Sequence, residues 1–187
     1  MRKIKGFKLV LRPHEAKRRA KKAALDLESC GLSEPVLNKT LERLSKKVTP
    51  AVLFETFGHP DADQAVLSPM TGLAYSVILA SLGDGFGPIR GEEPSVPEKL
   101  WTLLTEMALD EATRFAAGLL ADEAEKDNCE LSPITTLSEE AALEAVLRKL
   151  DGAKLGVSLQ EGRLSPPASV AVSLSWLAKS KAKGRSK

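Results

Sequence analysis

Aromatic side chains make up only 4% of this 187-residue chain, with a single tyrosine, two tryptophans and five phenylalanines. A core must therefore be assembled mostly from Leu, Val and Ala, and few rings are on hand to stack nucleic-acid bases. Cysteine is nearly missing. Cys30 and Cys129 form no CxxC pair, which excludes a disulfide framework and a cysteine zinc site and makes a reducing cytoplasm the expectation. The two histidines, His14 and His59, lie in separate segments with no companion ligands at metal spacing. Both read as surface residues, and no metal site is expected. A GxSxG elbow is lacking, and the acidic neighbours of Cys129 do not activate a thiol. No catalytic residue is predicted. The most apolar stretch, "GLAYSVILASLG" over residues 72–83, is too short to span a bilayer. The basic N-terminus is not followed by an apolar run with a cleavage site. A soluble, cytoplasmic protein is expected.

What is present is a large apolar share, 43%, enough for a core. The net charge of +2 hides an uneven distribution. Ten Lys and Arg residues crowd positions 2–22 against the single acid Glu15, and the last nine residues carry five more cations and no acid. Such ends can neutralise phosphates without reading sequence. The lack of a nucleic-acid motif and the scarcity of aromatics count against that use, and a solvated basic face is the simpler reading.

Along the chain, "FKLVLRP" (7–13) predicts a short strand or extended entry, and Ala16, Ala20, Ala23 and Leu27 predict a helix over 14–29 stopped by Gly31. Leu37, Leu41, Leu44 and Val48 predict a second helix over 33–47, with Pro35 in its first turn. "AVLFETF" (51–57) reads as a strand ended by Gly58 and Pro60, and "DADQAVLSPMT" as a short helix or connector. Periodicity alone leaves 72–83 open between a buried strand and a buried helix. Residues 83–97, dense in Gly and Pro, predict a long loop without phosphate-loop or dinucleotide spacing. A long helix is expected over 97–126, with Trp101, Leu104, Ala108, Ala112, Phe115 and Leu119 as its apolar stripe.

"CELSPITTLSEE" then predicts a loop followed by a helix to Leu150, capped by Ser138 and closed by Gly152 in a left-handed conformation. Two strands are expected around Glu161 and Gly162, with Pro166 and Pro167 forcing a bulge or an edge before Ser169. The chain divides into a basic strand-and-helix segment over 1–48, a core over 49–178 and a disordered basic tail over 179–187.

The C-terminal third, "LRKLDGAKLGVSLQEGRLSPPASVAVSLSW", resembles the activation domain of cobalamin-dependent methionine synthase, in the form of its short stand-alone members. Leu155, Gly156, Val157, Leu159, Pro167, Ser169 and Val170 fall on that family's "IGVxLTExxxMxPxxSVSG" pattern, and the helix over 97–126 stands where the family has its long alanine-rich helix. The resemblance implies an α+β fold: a twisted antiparallel sheet flanked by helices, here with an N-terminal helical segment. It implies S-adenosylmethionine as ligand, cobalamin reached only through a partner, and a corrinoid-binding protein or methyltransferase subunit as that partner. The chain would then be at most an accessory of the methyltransferase, assisting reductive remethylation of the cobalt.

In that family the ligand contacts come from an R-x-x-P-G-Y loop, which falls on Glu130, Leu131, Ser132, Pro133, Ile134 and Thr135. Only Pro133 is retained. Glu130 reverses the charge of a bidentate donor, a change that typically costs on the order of a hundredfold in affinity. Ile134 stiffens a glycine position, and Thr135 keeps only the hydroxyl of a tyrosine. A degraded ligand site is therefore expected. The alternatives are a protein-interaction scaffold of the same fold and a basic-ended nucleic-acid binder.

Overall fold

The computed structural model describes residues 1–83, 87, 90 and 96–179. Most of the loop expected over 83–97, and the tail expected over 179–187 beyond its first residue, lie outside the described residues.

An antiparallel sheet of six strands runs through the centre of the protein. Strands β1 (Arg2–Lys5), β2 (Ala51–Gly58), β3 (Ala74–Ser81) and β8 (Ser169–Ala178) lie side by side in that order. The far side of β8 carries two short strands, β4 (Cys129–Leu131) and β5 (Thr135–Leu137). Alternation along each strand assigns side chains to two faces. Val52, Phe54, Ile78, Ala80, Val172, Leu174 and Trp176 join one core with α1 (Pro13–Lys22), α2 (Glu34–Lys47) and α4 (Glu98–Lys126). Leu53, Tyr75, Val77, Leu79 and Ala171 face the other way, toward α3 (Gln64–Leu67) and α5 (Glu140–Leu150). The fold is α+β with helices on both faces of an antiparallel sheet.

Burial on both faces resolves the ambiguity over 72–83. A strand covered above and below has no polar side to show, so its sequence loses the period of two that marks a half-exposed strand. Six consecutive residues of β3, from Tyr75 to Ala80, are fully buried.

Several boundaries differ from the sequence-based expectation. The first strand is Arg2–Lys5, and residues 7–12 are the extended entry into α1. Helix α1 ends at Lys22 rather than 29, because Ala24 takes a positive φ of 53° and turns the chain; Ala23 is exposed. In α4 the buried stripe passes through Ala116 and Leu120, while Phe115 is 37% exposed. Ser138 does not cap α5; Glu139 occupies that position and no side-chain cap bond is made. Asp151, with φ of 49°, is the left-handed residue closing α5, and Gly152 opens a 3-10 helix over Gly152–Leu155. Glu161 and Gly162, both at positive φ, form the tight turn of a hairpin between β6 (Ser158–Gln160) and β7 (Arg163–Ser165). The strand expected from Arg163 onward is broken at Pro166 and Pro167 into β7 and β8, which belong to different sheets.

Candidate functional site

The segment 129–138 is not a free loop. Its two short strands lie along β8, with Glu130 opposite Leu177 and Thr135 opposite Ser173. Between them Ser132 holds the interruption together. Its N–H donates to the Ser175 carbonyl, and its Oγ accepts the Ser175 N–H, both at 2.9 Å. The same Oγ donates to the Pro133 carbonyl at 3.1 Å. A side chain thus replaces one rung of the ladder where the edge strand bulges, and short, broken edges of this kind do not pair with other chains.

Of the predicted site residues, Ser132 is buried at 5% exposure and Glu130, Pro133, Ile134 and Thr135 are exposed. The structure therefore brings the five together on one sheet edge but divides their tasks. Ser132→Ala removes the acceptor for a buried backbone N–H and is expected to cost about 1–2 kcal/mol. Hydrogen exchange at the Ser175 amide reads this directly, and unchanged protection there would contradict the assignment.

Beside this edge lies an open groove of about 770 Å3. Thr136, Leu137 and Ser138 form one wall, hairpin residues Arg163 and Leu164 another, and Ser169 to Ala171 of β8 the floor. The stretch 155–172 contributes Gln160 to Ser165, Pro167 and Ser169 to Ala171 to this groove, while the edge segment reaches it through Thr136 to Ser138 and not through 130–135. The two sides meet because β5 pairs with β8 through Thr135–Ser173 and Leu137–Ala171. The residues at the edge fit adenosylmethionine poorly. Glu130 offers this edge an acceptor-only carboxylate in place of a cation, the hydroxyl of Ser132 is engaged by the backbone, and Ile134 exposes a branched side chain.

A second polar cluster escaped sequence reasoning. The Tyr75 hydroxyl donates to Asp61 at 2.6 Å, and Lys149 Nζ donates to the other Asp61 oxygen at 2.8 Å and lies 3.4 Å from Asp63. Arg148 bonds Asp63 at 2.6 Å, and Lys149 also lies 4.4 Å from the Phe57 ring centroid. The Lys149 and Tyr75 hydrogen bonds hold the Asp61 carboxyl at about 2. Burial first, then Asp61, pushes the Tyr75 hydroxyl well above its ordinary range. Neither group is poised to exchange a proton near neutral pH, so the cluster is a strut joining α5 to the β2–β3 end of the sheet. The one signal for it was the chain's single tyrosine inside an apolar run, which needs a hydroxyl partner when buried.

His59, expected at the surface, stacks on Tyr75 with ring centroids 5.6 Å apart, and both its ring nitrogens are closed off from solvent. The turn after β2 folds it back over the sheet. His14 is exposed as expected. Both cysteines are free.

Among the described residues no group of three or more His, Cys, Asp or Glu side chains could hold a metal ion, and no helix is long and apolar enough to cross a membrane. In comparisons with known proteins, no family model and no curated protein matches this chain.

Proposed function

We propose that this chain is a non-catalytic accessory protein of the activation-domain type, which uses the groove beside β5 and β8 to engage a corrinoid-carrying methyltransferase or its cobalamin-binding subunit. One observation supports this reading above the others: the stretch 155–172, which carries the resemblance, supplies most of the lining of this groove on the sheet edge. In this proposal adenosylmethionine has been lost as a ligand, and the exposed positions 130 and 133–135 face the partner instead.

Two measurements test it. Calorimetric titration with S-adenosylmethionine is expected to give no binding heat at millimolar ligand, whereas Glu130→Arg with Ile134→Gly and Thr135→Tyr should gain at least tenfold in affinity. Sedimentation velocity with a cobalamin-binding methyltransferase domain is expected to show a complex that Arg163→Glu weakens. Micromolar adenosylmethionine binding by the unaltered chain, or no complex at any attainable concentration, would overturn the proposal.

A further inference from the structure

The ten cations of the first 22 residues are not an even coat. Several are used internally: Arg2 pairs with Glu123, Lys17 with Glu34, Arg18 with Glu15, and Arg19 with both Glu15 and Asp110. Lys3 donates to the Lys154 carbonyl. A continuous track for a nucleic-acid backbone would need these charges free.

Three cations that make no ion pair among the described residues instead gather at one cavity. Lys8 and Arg12 of the N-terminal segment and Arg114 of α4, with His14 and the Glu15–Arg19 pair beside them, line a cleft of about 490 Å3, a size within the range of small-ligand sites. Its apolar wall is unusual for a surface. Phe7 and Phe115 stack with centroids 4.2 Å apart and 12° between planes, yet Phe115 remains 37% exposed and neighbouring Val10 50% exposed. Glu111 lies in the same lining and accepts hydrogen bonds when ionised.

We propose that this cleft binds a nucleoside phosphate. Arg12 and Arg114, with Lys8 and His14, take the phosphate, since planar guanidinium groups match phosphate oxygens in pairs. The base packs against Phe115 and Val10, where aromatic contact is indifferent to base identity. Glu111 accepts from the sugar hydroxyls. An inorganic anion would leave the apolar wall bare, and a plain hydrophobe would leave three cations unmatched; a ligand with both parts satisfies both. The site lies on the N-terminal segment and α4, and it does not depend on the corrinoid proposal.

Calorimetry on the full chain with AMP, inorganic phosphate and adenosine as separate titrants tests it. AMP is expected to bind at least tenfold more tightly than either fragment. Arg12→Gln with Arg114→Gln should lower AMP affinity at least tenfold and leave the thermal unfolding midpoint in place, since both residues are exposed. Phe115→Ala should lower AMP affinity and leave phosphate binding unchanged. The proposal is overturned if AMP gives no heat at millimolar concentration, if phosphate binds as well as AMP, if the double variant binds AMP normally, or if a single-stranded oligonucleotide binds while AMP does not.

Discussion

Asp61→Ala is expected to destabilise the fold by about 2–4 kcal/mol, measured by urea unfolding at pH 7. Asp61 accepts three hydrogen bonds, from the Tyr75 hydroxyl at 2.6 Å, from Lys149 at 2.8 Å and from the Asp63 N–H at 3.0 Å. Tyr75 is fully buried and the Lys149 side chain is only 13% exposed, so neither can turn to water for a replacement. Lys149 keeps Asp63 at 3.4 Å, which is why the loss stays below that of an isolated buried charge.

The same residue sets a pH dependence. The folded carboxyl is held at about 2, below its ordinary 3.8, chiefly by the Lys149 hydrogen bond and then by Tyr75. A depressed acid contributes stability that is complete above the unfolded value and is lost as pH falls through the folded one. The difference between the unaltered protein and Asp61→Asn should therefore be constant from pH 7 to 5 and shrink between about 4 and 2. With the Asp61 side chain 20% exposed, solvent screening limits this part to about 1–2 kcal/mol. A constant difference down to pH 2 would remove Asp61 from the strut.

Gly152→Ala is expected to cost about 2–3 kcal/mol and to lower the thermal midpoint by about 4–12 °C. A methyl at residue 152 would stand 2.3 Å from Leu147 Cδ2 and 2.9 Å from the Val157 carbonyl oxygen. The leucine end can swing aside, but the carbonyl belongs to a turn closed by the Val157 N–H bond to the Gly152 carbonyl at 3.0 Å. Relief requires the backbone entering β6 to move, and with it the hairpin wall of the groove. A variant that melts with the unaltered protein would show that the approach is not tight.

These two sites separate what local sequence encodes from what the fold adds. Gly152 stood out as a special position after a helix, but the left-handed conformation expected there falls one residue earlier, at Asp151. Local pattern signals that the chain must turn; the neighbours that leave no room for a side chain come from elsewhere. Asp61 and Asp63 looked like connector residues, and nothing nearby announced that α5, some 85 residues later, would deliver Lys149 and Arg148 to them. The edge segment 129–138 shows the same division. The sequence predicts a loop there, whereas the structure has two short strands on either side of Pro133, because the pairing of Thr135–Leu137 with β8 depends on a strand more than thirty residues away.

From the sequence by itself came the elements with strong local cause: α2 and α4 by apolar period, β2 by β-branched and aromatic content, the Glu161–Gly162 turn, and the α+β class through the resemblance. Each rests on residues within a few positions of one another, where backbone preference and periodicity act. Only the tertiary structure decided that residues 74–81 are a strand, that Ser132 completes the sheet edge, and that unpaired cations from the N-terminus meet Phe115 on α4. Those outcomes are non-local, since burial on two faces, a hydrogen-bond partner on another strand and a shared cavity exist only after the chain has folded.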